Sequence, residues 1–248
     1  MRQIGQQEAM RSRSSFDHEF SHEPLVGRAL SWLLAAAMAV LVTATIMLGT
    51  PPARASQGAV FGFDEKRSTK LAPFSKWSGV LTRYAAERKR ELDPCSSGLF
   101  TRCNLQDWRK FVTRLKGTGS LAQLDAVNRY MNRSPYIIDP INYGVPDYWA
   151  TPVQFFVKDG DCEDYAITKY LSLRSLGWPA EKLRIVVLQD MNLNIAHAVL
   201  VVELNGKSYV LDNQISQLVT DDQISHYRPI YSINENAWWL HRRRISGN

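Results

Sequence analysis

AHAVLVVELNGKSYVLD, Ala196 to Asp212, reads as two β-rich runs joined by Asn205-Gly206. Asn-Gly between such runs is the strongest short hairpin signal, because a two-residue type I′ turn needs left-handed backbone at both central positions. That turn sets Leu204 opposite Lys207, and counting outward brings Asp212 across from Val199. His197, two residues along on the same strand face, becomes a diagonal neighbour of Asp212, about 7 to 8 Å away between backbones, a gap that an imidazole and a carboxylate close. Taken singly, His197 among Ala196, Ala198, Val199 and Leu200 reads as a structural histidine, and Asp212 before Asn213 as an ordinary turn former. The register joins them.

Outward from this hairpin, LRIVVL from Leu183 supplies a further strand. Upstream the apolar period lengthens to that of helices. Trp77, Leu81, Tyr84 and Arg88 share one face; Asn104 stands where it caps a helix carrying Leu105, Trp108, Phe111, Val112 and Leu115; Ser120 precedes Leu121, Leu124, Val127 and Met131. Ser134 to Pro152, dense in Pro, Tyr, Asp and Gly, reads as an ordered loop. A helix from Cys162 to about Leu176 points Ala166, Ile167, Tyr170 and Leu171 inward and stops at Gly177. The expected class is α+β, with helices first and an antiparallel sheet after. No internal repeat is visible.

Cys162 sits in Gly160-Asp161-Cys162-Glu163-Asp164 at the first turn of its helix, where free backbone N–H groups and the helix dipole favour a thiolate. With Asp212 orienting His197, and His197 taking the thiol proton, Cys162 becomes a nucleophile for acyl chemistry through a thioester. Its own N–H, and a side chain upstream such as Gln154, are candidate oxyanion donors. The flanking acids oppose this, since three carboxylates raise the thiol pKa. Adjacent carboxylates are hard ligands suited to Ca²⁺, and a bound cation restores a field that favours thiolate. The simpler alternative is that they complement the helix dipole.

The chain has 248 residues, 45% of them apolar and three of them cysteines, enough for one sizeable core. Arg28, an apolar run from Ala29 to Gly49, and Ala53-Arg54-Ala55 compose a secretory signal cut after Ala55; a retained anchor through residues 29–49 is the alternative. Either leaves residues 56–248 as one domain outside the cytoplasm, in a periplasmic setting. There an odd cysteine count leaves a thiol over. Cys95 and Cys103 bracket a short polar loop, so their disulfide is the economical pairing and Cys162 the free thiol; three unpaired thiols remain the alternative. The formal net charge of +6 is mild, and its densest cluster, His241-Arg242-Arg243-Arg244, reads as a solvated tail or a phosphate or membrane contact. Nothing else suggests nucleic acid.

The chain also resembles the bacterial transglutaminase-like cysteine peptidases from Leu71 to Asn234. The likeness rests on Cys95 and Cys103 with Trp108, Gln123-Leu124 with Val127-Asn128, Asp147 to Pro152, Gly160 to Ala166, His197 to Leu200, and Leu211-Asp212-Asn213. It implies a transglutaminase-like papain fold, a triad of Cys162, His197 and Asp212, and calcium held by Asp161, Glu163 and Asp164. It further implies a periplasmic endopeptidase that cuts a large surface adhesin near its N-terminus at a paired-alanine site, releasing biofilm cells. The implied inhibitor is an inner-membrane receptor for cyclic di-GMP. Two rivals stand beside it: amine transfer, as in a transglutaminase or amidase, by the same triad, and a calcium-binding interaction module with an idle thiol.

Overall fold

The computed structural model describes residues 59–89 and 103–243. The signal or anchor expected before residue 56, and Cys95 of the expected disulfide, lie outside these residues. Among the described residues no helix is long and apolar enough to cross a membrane.

Helices α1 (Ser75–Glu87), α2 (Asn104–Leu115), α3 (Ser120–Met131), α4 (Asp139–Asn142), α5 (Pro152–Lys158) and α6 (Cys162–Ser175) precede most of the sheet. Its strands are β1 (Asp64–Ser68), β2 (Leu183–Asp190), β3 (Ile195–Leu204), β4 (Lys207–Leu211), β5 (Val219–Thr220), β6 (Tyr227–Ile233) and β7 (Trp238–Arg242). They form a seven-stranded antiparallel sheet in the order β1-β7-β6-β2-β3-β4-β5. The hairpin has the expected register, from Leu204 opposite Lys207 to Leu200 opposite Leu211. Its turn residues Asn205 and Gly206 are left-handed at φ 52° and 76°, as a type I′ turn demands.

Helix α6 is the centre of the molecule. Every residue from Asp164 to Leu173 is buried, because α3 and α5 pack on the helix and β2 and β3 cover it from the sheet side. It therefore carries no single apolar stripe, as expected of an enclosed helix. The main core joins α6 and the other helices to Leu183, Ile185, Leu200, Val202 and Leu211 on one sheet face. Alternate residues Val186, Leu188, Val199, Val201 and Val210 form a second cluster on the opposite face with Val60, Ile224 and Tyr227. With both faces covered, the central strands are almost continuously apolar.

Several expectations change. Leu121 faces solvent at 50% exposure; its neighbour Gln123 goes inward, where its amide oxygen accepts from the Trp178 indole at 2.6 Å. Asn104 opens α2 without capping it, and Cys103 occupies the cap position. Helix α5 begins where the loop was expected to end, started by Pro152 and a reciprocal cap between Thr151 and Gln154. The His241 end of the basic cluster is not a solvated tail. Strand β7 lies between β1 and β6, so His241 is buried and its Nε2 stands 3.0 Å from Ser232 Oγ. Arg184 pairs with Glu65 at 2.7 Å beside it, and burial lowers the His241 pKa to about 4.

Candidate active site

Asp159 leaves α5 at φ 62°, and the chain then runs through Gly160 into α6. Gly160 bridges Tyr136 in parallel, and its carbonyl accepts from Ile137 N–H at 3.0 Å. A Cβ on Gly160 would meet Asp164 Oδ2 at 2.3 Å, so only glycine fits. Asp161 holds the N-cap position without a side-chain cap bond, and Cys162 is the first helical residue. Its half-buried thiol is free. It donates to Glu163 Oε2 at 3.3 Å, and the Tyr136 side chain and the backbone N–H of Ala198 on β3 lie near it. Burial, then the Glu163 and Asp161 charges, push the thiol up from its ordinary value; the Ala198 N–H opposes them.

Next to Ala198, the buried His197 ring stands 2.9 Å through Nε2 from Asp212 Oδ1. Tyr227 donates its hydroxyl to Asp212 Oδ2 at 2.6 Å, and Gln214 N–H donates to Oδ1 at 2.8 Å. Burial alone would raise the Asp212 pKa, but the His197 hydrogen bond and charge, with Tyr227 and Gln214, hold it below the usual value. With Nε2 donating to Asp212, Nδ1 is the basic ring nitrogen. Behind Asp212 lies Lys169, fully buried on α6, whose Nζ finds no hydrogen-bond acceptor.

The acids form a cage. Ligand atoms of Asp139, Asp161 and Asp164 lie within 4.8 Å of one another, as do those of Asp139, Asp147 and Glu163. Asp161 Oδ2 accepts from Asp139 N–H at 3.2 Å and Asp164 Oδ1 from Ala150 N–H at 2.7 Å. Asp139 Oδ1, Asp161 Oδ1 and Asp164 Oδ2 are buried without any partner. Burial and mutual repulsion raise the pKa of Asp139, Glu163 and Asp164. Helix capping explains none of these unpaired oxygens. An all-oxygen donor set with orphaned buried atoms fits a hard divalent cation.

A family model described as "Bacterial transglutaminase-like cysteine proteinase BTLCP" matches residues 95–241. The chain belongs to this family. Among solved structures, this BTLCP chain is similar to Legionella pneumophila LapG at 32% identity, covering 65% of this chain and 87% of that one, with a TM-score of 0.52. Calcium-bound LapG gives the same figures. EGTA-treated LapG gives 32% identity, 67% and 87% coverage, and a TM-score of 0.53. Curated proteins return no match. The α+β, transglutaminase-like fold expected from the sequence is the fold of this BTLCP member.

Of the residues singled out from the sequence, His197 and Asp212 meet directly, and Cys162 lies against the backbone amide beside His197. Asp161, Glu163 and Asp164 all border the acid cage. Gln154 is committed elsewhere: Oε1 accepts from Thr151 N–H at 3.0 Å and Nε2 donates to Tyr148 at 2.8 Å. Sequence reasoning missed Asp139, Asp147, Tyr136 and Tyr227. The first three lie in or beside the Pro- and Tyr-rich loop, whose density in acids and aromatics was the available signal. Tyr227 carried none.

Proposed function

We propose that this chain is a calcium-dependent cysteine endopeptidase, with Cys162 as nucleophile, His197 as base and then acid, and Asp212 as orienting group. The observation that carries the reading is the buried His197–Asp212 pair at 2.9 Å, one residue from the Ala198 amide that faces the Cys162 sulfur. Asp212 fixes the ring tautomer, so Nδ1 takes the thiol proton. Sγ then bonds the peptide carbon, and the C–N bond breaks as His197 returns that proton to the leaving amine. Water hydrolyses the thioester with His197 again as base.

Asp139, Asp161, Glu163 and Asp164, with Asp147 at the exposed edge, would hold the calcium ion. When bound it supplies a positive field that offsets the carboxylates and favours thiolate. Calcium-bound LapG supports this assignment. The signal-like residues 28–55 support export, and the family likeness supports a large surface adhesin as substrate and a cyclic di-GMP receptor as inhibitor. A Cys95–Cys103 disulfide fits the same compartment and leaves Cys162 reduced.

The test is cleavage of an adhesin N-terminal fragment, followed by mass spectrometry with and without a primary amine. Hydrolysis products that vanish in Cys162→Ala and in excess chelator support the proposal. Amine adducts as the main product would make it an acyl transferase, and undiminished cleavage by Cys162→Ala would remove the nucleophile. A non-reducing peptide map linking Cys162 to another cysteine would also sink it.

A further inference from the structure

Strand β4 ends too early to hold the carboxylate that meets His197. Its last residue paired with β3 is Leu211, opposite Leu200, and its pairing with β5 stops at Val210. Asp212 is thus the first residue beyond the ladder, yet its side chain must stay 2.9 Å from the His197 ring. Its main-chain carbonyl needs a partner that the sheet does not supply.

Helix α3 supplies it. Asn132, the C-cap of that helix, donates through Nδ2 to the Asp212 carbonyl at 2.7 Å. Asn128, one turn back on the same helix face, places its Nδ2 3.3 Å from both the Ile215 and the Ser216 carbonyls. The two amides fasten residues 212–216 along α3, and the Gln214 N–H closes that turn onto Asp212 Oδ1 at 2.8 Å. Asn132 Oδ1 is buried without a partner, so the side chain is seated there for its donor alone. Turning the amide over would set two acceptors against each other.

The same segment reaches the nucleophile. Leu124, Val127 and Met131, all at 0% exposure, lock α3 into the core it shares with α6. Past Asn132, the Ser134 carbonyl accepts from the Tyr165 hydroxyl on α6, and the Ile137 N–H donates to the Gly160 carbonyl at 3.0 Å, just before Cys162. From Asn132 to Ile137 the chain holds the Asp212 main chain at one end and the approach to Cys162 at the other.

We infer that Asn132 is a positioning residue for the triad, whose amide sets the Asp212 main chain so that the carboxylate meets His197 beside Cys162. The inference rests on Asp212 being the group that orients His197. Asn132 acts through Asp212 alone. It is only half-buried, unlike Asn128 at 0% exposure, so its loss leaves the core intact.

A double-mutant cycle separates this role from a structural one. Acylation of Cys162 by p-nitrophenyl acetate is followed in the calcium-loaded full chain, as wild type, Asn132→Ala, Asp212→Ala and the pair. Asn132→Ala should slow acylation about 10- to 100-fold, the range that follows from an ångström-scale misplacement. In the Asp212→Ala background, where no carboxylate remains to be placed, the same change should cost less than about twofold. Asn132→Asp keeps the shape and exchanges the donor for an acceptor; it should slow acylation as alanine does, and it carries the cycle if alanine unfolds the chain. Wild-type acylation by Asn132→Ala would overturn the inference. Equal slowing in both backgrounds would also overturn it, marking a general loss of structure. The proposed function fails differently: acylation kept by Cys162→Ala removes the nucleophile, and acylation kept by Asp212→Ala removes the orienting carboxylate. A slow Asp212→Ala beside an unimpaired Asn132→Ala removes only the role of Asn132.

Discussion

Asp212 shows how much support one buried carboxylate needs. It sits at 0% exposure and remains an anion because His197, Tyr227 and the Gln214 N–H all donate to it. Tyr227→Phe removes one donor and leaves the ring packed edge-on to His197 at 5.8 Å. A hydrogen bond to a charged group contributes about 1.5–3 kcal/mol, so the variant should lose stability of that order in urea unfolding near neutral pH. Asp212 has a depressed folded pKa, so its contribution is present above the unfolded value of 3.8 and fades as pH falls through the folded value. The gap between wild type and variant should therefore narrow in acid; a gap independent of pH would mean that the hydroxyl acts elsewhere. At the cage, Gly160→Ala forces a Cβ toward Asp164 Oδ2, 2.3 Å away, and should weaken calcium binding in titration calorimetry. Unchanged affinity would show that Asp164 is not a ligand. The sequence made His197 and Asp212 legible as partners because Asn205-Gly206 fixes register locally. Tyr227 was invisible because β6 reaches Asp212 only through β2 and β3, an order no short motif encodes.

At the scale of elements, α6 carries an unusual residue for an enclosed helix. Lys169 is wholly buried without an acceptor for Nζ, 5.7 Å from the Tyr165 ring centroid. Burial lowers its pKa from 10.5 to about 7, against the pull of the Asp212 charge. Between those two values the unfolded chain holds a proton that the folded chain lacks, so stability rises with pH across that window. Below about 7 the folded protein carries the full cost of a buried ammonium. Lys169→Met removes this cost and should raise the thermal midpoint most near pH 6 and least near pH 10. A loss of stability at pH 6 would instead mean that the ammonium–Asp212 attraction outweighs desolvation. Periodicity found α1, α2, α3 and α6 because each keeps at least one apolar face. It passed over α5, whose Thr151-Pro152 start and Gln154 are a readable capping box inside a segment whose prolines suggested only loop. It also passed over β7, where two tryptophans and a basic run resemble neither a half-buried strand nor a tail. That strand becomes interior only once β1 pairs with it.

At the scale of the whole molecule, the acid cage joins separate segments between residues 139 and 164. Asp139 comes from α4, Asp147 from the loop after it, and Asp161 to Asp164 from the start of α6. Cys162 lies in the middle of the last segment. The sequence disclosed the three contiguous acids because they are adjacent. It hid Asp139, which meets Asp161 only after the chain folds back through the Tyr136–Gly160 bridge. Closing this cage without a cation leaves three buried carboxylate oxygens unpaired. Calcium that binds the folded chain alone therefore stabilises it by mass action, about 2.7 kcal/mol at a hundredfold excess over Kd. For a domain of this size each kcal/mol moves the thermal midpoint about 2–4 °C, so saturation should raise it by roughly 5–10 °C. Differential scanning fluorimetry with calcium and then excess chelator measures the shift. Cys162→Ala should keep it, Asp139→Asn should abolish it, and Asp147→Asn, whose side chain is 55% exposed and pairs with Lys76, should only reduce it. If Asp139→Asn shifts as far as wild type, the ion sits elsewhere, and the unpaired oxygens beside Cys162 need another partner.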